Sequence, residues 1–252
     1  MAERFERTEL LLGREAMEKL KKSKVIVFGV GGVGGYAVEA MARSGIGRID
    51  LVDNDFVSLS NINRQIIATD LTVGKSKVEV MAERIWSINP DCEVHCFPCF
   101  YLPENKDEFC LSDYNYVIDA VDTVTAKLGL IMEAHRLGVP VISAMGAGNK
   151  LDPTAFKVSD IYKTKVCPLA KIMRRECKKR GIESLKVVYS EEEPTRPLNR
   201  EEEKKRMGSS SRLEEGRTSA SRRDTPGSIA FVPPICGFIL GGEVIKDLLG
   251  KK

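Results

Sequence analysis

Several features are scarce or missing in this chain, and each absence excludes something. No apolar run in its 252 residues approaches the roughly 18–20 that a membrane-spanning helix requires. Residues 1–14 are charged and hold no apolar signal core, so the expected location is the cytoplasm, with no membrane partner. Neither sign of charge dominates: Lys+Arg total 39, Asp+Glu total 36, and the net is +3. That balance argues neither for nor against a nucleic-acid partner and leaves the question to the distribution of charge. Cysteine is odd in number, at seven, and no secretion signal accompanies it, which excludes a disulfide framework. Only one Cys-x-x-Cys occurs, Cys96-Phe97-Pro98-Cys99, with Cys92 and His95 beside it. A closed zinc site needs four ligands. Cys167 and Cys177 are too widely spaced to complete one, and successive side chains of a strand face opposite ways, so no zinc is expected. Hydrophobic residues reach 42%, enough for a buried core in a chain of this length.

The pattern of what is present alternates strand and helix. A β-branched run at residues 24–30 ends in glycines and reads as a buried strand. A helix over 33–44 follows, then a strand over 48–52 ending at Asp53, and a helix over 74–88. Strands at 93–97, 115–120 and 139–144 surround a helix at 124–137. Such alternation predicts a doubly wound, Rossmann-like α/β unit over 24–145, a mostly parallel sheet with helices on both faces. Beyond it, shorter strands at 156–160 and 185–190 flank a basic helix at 169–180. A further strand is expected at 228–232, then a closing apolar helix at 235–249. Residues 191–224 are rich in charge, Ser and Pro, and read as a long mobile loop. Apolar structure resumes after it, so the loop is an insertion. The expectation is one domain over 1–252, with residues 146–252 as a substrate-side extension.

The chemistry begins at Gly29-Val30-Gly31-Gly32-Val33-Gly34, between a strand and a helix. Glycines there let the backbone approach a phosphate at a helix N-terminus. Asp53 follows at the spacing at which an acid holds ribose hydroxyls. These features suit a dinucleotide as well as ATP. The next stretch favours ATP, because a polyphosphate needs cations and carboxylates near a metal. Asn61, Arg64 and Lys77 supply the polar and cationic groups, and Asp55 and Asp122 the carboxylates.

Ser60-Asn61-Ile62-Asn63-Arg64-Gln65, Gly74 to Lys77 and Asp119-Ala120-Val121-Asp122, with the glycine loop before them, resemble the ubiquitin-activating-type adenylating enzymes of the ThiF/MoeB/HesA family. That resemblance implies an ATP site made by Gly29, Gly31, Gly32, Gly34, Asp53, Asp55, Ser60, Asn61, Arg64, Gln65, Lys77 and Asp122, with Asp122 approaching Mg²⁺ through ATP. Arg64, Lys77 and Asp122 would act on the transferring phosphate. Arg4-Phe5-Glu6-Arg7 resembles the segment whose second arginine reaches the partner's ATP, which implies a homodimer and a role for Arg7 across it. Thr123 departs from the Asn that many relatives carry.

One branch fits the rest of the chain. Gly146-Ala147-Gly148-Asn149-Lys150-Leu151-Asp152-Pro153-Thr154, then Asp160 to Thr164 and Pro168-Leu169-Ala170, are similar to the tRNA threonylcarbamoyladenosine dehydratases. That branch implies adenylation of the threonine carboxylate of the modified adenosine beside the anticodon. Ring closure with loss of water follows. Residues 163–186 hold nine Lys/Arg against two Asp/Glu, a net of +7, and Arg174, Arg175, Lys178, Lys179 and Arg180 on the expected helix suit a tRNA backbone. A sulfur-relay protein is a further possible partner. The alternative is adenylation of the C-terminus of a ubiquitin-like sulfur carrier.

Overall fold

A computed structural model describes residues 2–195 and 226–251. Two charged helices come first, α1 (Ala2–Leu12) and α2 (Arg14–Lys22). The core then runs β1 (Lys24–Phe28), α3 (Gly34–Arg43), β2 (Arg48–Val52), α4 (Lys77–Ile88), β3 (Cys96–Phe97), β4 (Tyr116–Asp119), α5 (Val124–Leu137) and β5 (Val141–Ala144). It closes with β6 (Phe156–Asp160), α6 (Pro168–Lys179), β7 (Lys186–Ser190) and α7 (Pro233–Leu249).

The strands form one sheet in the order β3-β2-β1-β4-β5-β7-β6, parallel except for the β6–β7 pair. The doubly wound architecture expected from strand–helix alternation is therefore the one observed. Residues along β1 alternate between the two faces of the sheet. Val25 and Val27 join the cluster that includes Val38 and Met41 of α3, Met81 of α4 and Leu240 of α7. Ile26 and Phe28 join Phe109, Leu111, and Ala126 and Leu130 of α5. A smaller cluster seats Ala170, Met173 and Cys177 of α6 against Leu128 and Ile131 of α5. Because β1 lies between β2 and β4, the connections leave it in opposite directions. A crevice opens at such a switch point, beyond the carboxyl ends of the strands.

The structure departs from expectation in four places. The strand expected at 93–97 shrinks to Cys96–Phe97 and a single bridge from Glu93 to Arg48. It is an edge strand paired only with β2, and Pro98 ends it. Residues 228–232 form no strand; they turn into α7, which starts at Pro233 because proline is well suited to a first helical turn. The helices α1 and α2 were not anticipated, since their buried surface rests on few residues, Phe5 and Leu20 among them. Residues 191–195, taken as the start of a mobile loop, are pinned. The Glu192 carboxylate accepts from the amides of Leu151 (2.8 Å) and Asp152 (2.9 Å), and Thr195 N–H donates to Asn149 O (2.7 Å). Residues 196–224 of that expected loop, and Thr225 after it, lie outside the described residues.

Candidate active site at the ends of the parallel strands

A cavity of about 730 Å³ opens at the switch point. Gly29, Gly31, Gly32, Asp53, Asp55, Asn61, Arg64, Gln65, Lys77 and Asp122 all line it. Residues far apart in the chain thus reach one place because the parallel strands β1, β2, β4 and β5 all end there.

The glycine loop has two kinds of glycine. Gly29 has φ +91°, and a Cβ on it would lie 2.6 Å from Ala120 O; a Cβ on Gly34 would lie 1.8 Å from Gly29 O. Both positions require glycine so that the loop can fold back between β4 and α3. Gly34 is buried beneath the loop and does not line the cavity, so its part is structural. Gly31 is different: its nearest neighbour would be Gln65 Nε2 at 3.9 Å, so its face is open to the cavity. The amides of Gly31, Gly32 and Val33 find no acceptor among the described residues. Open amides at a helix N-terminus suit an anion.

Asp53 follows β2. Its carboxylate accepts from Val30 N–H at 2.7 Å and Asp55 N–H at 2.9 Å. Burial pushes its pKa above the ordinary carboxylate value, against the opposing pull of Lys77. Lys77 is the first residue of α4, only 5% exposed, and its ammonium meets Asp55 Oδ2 at 2.8 Å. Asn61 is buried and its side-chain oxygen accepts from Ser58 N–H at 3.1 Å. Arg64 donates to Ser60 O (2.9 Å) and Asn63 Oδ1 (3.0 Å), which aims its guanidinium along the cavity wall. Ser60 itself is exposed, lies against Ser58 Oγ at 3.0 Å and is not part of the lining; it enters the site as the acceptor that steadies Arg64.

Asp122 is exposed on the cavity rim. The other acid of its motif is not: Asp119 is fully buried and paired with the equally buried Lys127, whose ammonium reaches its two oxygens at 3.2 and 3.1 Å. Lys127 also donates to Ser143 Oγ (3.3 Å) and Ala144 O (2.7 Å). One ammonium thus joins the end of β4, which carries Asp122, to the end of β5. Sequence reading passed over Lys127. Its signal was a lone lysine inside the apolar stretch of α5.

Other candidates fall elsewhere. Arg7 is exposed on α1, and Arg4 of that helix donates to Ile88 O (2.6 Å) at the end of α4 remote from Lys77. Arg7 is therefore not brought to the cavity of its own chain. Cys96 donates to Val78 O (3.4 Å) while Cys99 lines the cavity, so the two thiols serve different surroundings. Cys236 is fully buried, and burial pushes its thiol up to about 12, which leaves it protonated and unreactive at neutral pH.

The basic helix α6 begins at the cavity, with Leu169 in the wall, and runs away from it. At roughly 1.5 Å per residue, Lys178 lies about 14 Å along the helix from Leu169. Arg174 is committed to Thr164, donating to its carbonyl at 2.6 Å and its hydroxyl at 2.8 Å. Arg175, Lys179 and Arg180 surround Glu176 at 3.1, 3.1 and 2.8 Å. Those cations, Arg180 foremost, hold the Glu176 carboxyl at about 2. The expected patch is thus partly neutralised from within.

Comparison with known proteins adds a decisive observation: the ThiF family model matches residues 5–252. The chain belongs to the ThiF family. This ThiF-family protein is 45% identical over 250 residues to the tRNA threonylcarbamoyladenosine dehydratase of Bacillus subtilis, covering 99% of this chain and 96% of that one. It is 44% identical over 176 residues to the Escherichia coli enzyme of the same name, covering 70% of this chain and 66% of the other. Its fold is similar to the crystal structure of E. coli TcdA in complex with ATP, with a TM-score of 0.84 and 34% identity, covering 99% of this chain and 95% of that chain. Among the described residues no helix is long and apolar enough to cross a membrane.

Proposed function

We propose that this protein uses ATP to adenylate the threonine carboxylate of N6-threonylcarbamoyladenosine, next to the anticodon of a tRNA, and that the adenylate then cyclises. The observation that carries this reading is the convergence of Asp53, Asn61, Arg64, Lys77 and Asp122 on one cavity with the open glycines Gly31 and Gly32. The names of the B. subtilis and E. coli relatives supply the substrate.

In this reading Asp53 accepts the ribose hydroxyls. The amides of the glycine loop and the positive end of α3 hold phosphate oxygens. Asn61 and Arg64 hold the polyphosphate. Lys77 exchanges Asp55 for the departing pyrophosphate and neutralises it. Asp55 and Asp122 are oxygen donors on the cavity surface, the type a hard cation takes, and so fit Mg²⁺ bound together with ATP. Bound there, Mg²⁺ would offset phosphate charge. A carboxylate oxygen bonds to the α-phosphorus, the bridging P–O bond to the β-phosphate breaks, and pyrophosphate leaves. The carbamoyl group then attacks the acyl carbon and loses a proton, and AMP departs with the former carboxylate oxygen. The net change in the nucleoside is the loss of one water.

Two partners follow. Exposed apolar side chains flank cavity-lining residues along the chain: Leu59 and Ile62 before Arg64, and Phe231, Ile235 and Phe238 on either side of Pro233, with Phe238 edge-on to Tyr36 at 5.5 Å. We assign this face to a second copy of the chain, from which Arg7 would act. Phe238→Asp then yields a monomer by sedimentation. For tRNA, Lys171, Arg175 and Lys178 lie on one exposed side of α6 at helical spacing and lead outward from the cavity wall. Anticodon-loop bases are unpaired and can be splayed into a pocket while such a track holds the backbone.

The direct test incubates the protein with Mg-ATP and tRNA carrying threonylcarbamoyladenosine, then analyses nucleosides by mass spectrometry. Loss of one water mass, dependent on ATP and abolished by Arg64→Ala, is expected. An unchanged nucleoside, with ATP shown to bind, would refute the proposal.

A further inference from the structure

Three side-chain polar atoms among the described residues are buried without a hydrogen-bond partner: Gln65 Oε1, Tyr101 Oη and Ser228 Oγ. All three residues line the cavity described above. Tyr101 stands apart from the others. Its ring packs against Phe28 and Phe109, and burial, with the charges of Glu133 and Asp107, pushes its hydroxyl up to about 12. Gln65 and Ser228 belong to a single seam. Asn63 Nδ2 donates to Ser228 O at 2.9 Å and stitches the turn before Gln65 to the segment that enters α7. At that seam a Cβ on Gly31 would find Gln65 Nε2 first, at 3.9 Å, and a Cβ on Gly32 would meet both Arg64 and Pro233. Gln65 is 6% exposed.

The chemistry of these atoms restricts what can satisfy them. A carbonyl oxygen needs an N–H or O–H donor. The phosphates that the glycine loop would hold carry no such hydrogen at neutral pH, the ribose hydroxyls are assigned to Asp53, and the adenine amine sits at the opposite end of the nucleotide from the phosphates that Gly31 would face. The group being activated is the part of the reaction mixture that can bring such a donor to this end of the cavity. We infer that Gln65 and Ser228 form the acyl-side subsite and select a carboxylate substrate bearing hydroxyl or amide N–H groups close to its carboxyl. This rests on the adenylation reading and moves Gln65 from the nucleotide to the acyl substrate. The amide nitrogen beside Gly31 serves the carboxylate where it meets the α-phosphate. The amide oxygen and the serine hydroxyl serve the neighbouring donors. A threonylcarbamoyl group supplies both kinds, a hydroxyl and carbamoyl N–H groups.

The test uses Gln65→Met and Ser228→Ala in the full chain with three readouts. These are the ATP dissociation constant, kcat/KM for tRNA bearing the threonyl or a glycyl form of the modification, and the thermal midpoint without ligand. Each variant should raise KM for the threonyl substrate about tenfold, the worth of one hydrogen bond. Discrimination against the glycyl form, which lacks the hydroxyl, should fall with it. The ATP constant should stay within about twofold, because the nucleotide contacts are elsewhere. The midpoint should not drop, because an unmade hydrogen bond has been removed rather than a made one. If both variants convert the two substrates as the wild type does, or weaken ATP and tRNA alike, the subsite is wrong. A wild-type protein that binds ATP yet leaves both nucleosides unchanged overturns the functional reading, and this inference with it.

Discussion

Lys127→Met removes a fully buried cation that joins the ends of β4 and β5 beside the candidate site. In the folded protein Lys127 and Asp119 are both completely buried, and the ammonium makes four contacts between 2.7 and 3.3 Å. Methionine fills most of the same volume, so packing is largely kept. What changes is that Asp119 is left as a buried carboxylate with only Ser143 Oγ and the Val121 amide as donors. Breaking a buried pair from one side costs about 3–5 kcal/mol. At roughly 2–4 °C per kcal/mol for a domain of this size, the thermal midpoint should fall by about 6–20 °C. Removing both charges, as Asp119→Asn with Lys127→Met, should cost less than the two single changes combined, with a coupling of about 1–3 kcal/mol. Urea denaturation followed by circular dichroism measures this cycle, and an unchanged slope verifies that the unfolded reference is the same. Because the ammonium also holds Ala144 O at the end of β5, the lysine variant should bind ATP more weakly even where it remains folded. The reasoning fails if Lys127→Met costs less than about 1 kcal/mol, or if the cycle is additive.

The glycine loop yields a contrast between two changes of one methyl. Gly34→Ala meets Gly29 O at 1.8 Å and should leave little folded protein, whereas Gly31→Ala meets nothing closer than 3.9 Å and should fold normally by circular dichroism but lose ATP binding by calorimetry. Asp53 sets an acid limb. Its pKa is raised by burial, so its contribution to stability is complete below the unfolded value and vanishes as pH rises through the raised one. Ribose needs the carboxylate, so ATP affinity should run the other way and fall as pH drops through that raised value; Asp53→Asn should bind weakly with no such limb in a fluorescence titration. Replacing Lys171, Arg175 and Lys178 by Ala should weaken tRNA binding and flatten its salt dependence by about 0.7–0.9 log units per lost phosphate contact, while the ATP constant is unchanged; an unaltered salt slope in filter binding would place the RNA elsewhere.

The convergence of the glycine loop, Asp53 and Lys77 on one cavity was legible because its determinants are local. A strand end needs glycine where backbone atoms nearly touch, as at Gly29 and Gly34, and that need is written in adjacent residues. Asp53 and Lys77 likewise sit at element ends, Asp53 one residue beyond β2 and Lys77 at the start of α4. The strands at 48–52 and 156–160 and the helix at 124–137 matched residue for residue. The rest of the site depends on distant pairings. Ser228 reaches the seam with Gln65 only through a hydrogen bond spanning 165 residues, and no local spacing encodes that. Basic residues on α6 looked like one patch because charge was counted along the chain. Glu176 and Thr164 face those side chains in space and engage four of the five expected RNA contacts, of which Arg175 still keeps most of its side chain exposed.

The same distinction explains where polar groups could be left unpaired. Beneath the cavity, Asp119 and Lys127 satisfy one another with Ser143 and the backbone, so burial there rigidifies the ends of β4 and β5 without an open valence. At the wall, Gln65 and Ser228 have no such partners. A fold able to satisfy a fully buried charge pair has the means to satisfy an amide and a hydroxyl nearby. That these two are unmade, on a cavity lined also by Arg64, Lys77 and the open glycine loop, is the observation from which we infer a ligand that completes them. In the proposed reading the rigid pair below and the open pair above have complementary roles: one would fix the geometry in which a carboxylate meets a phosphate, and the other would decide which carboxylate is admitted.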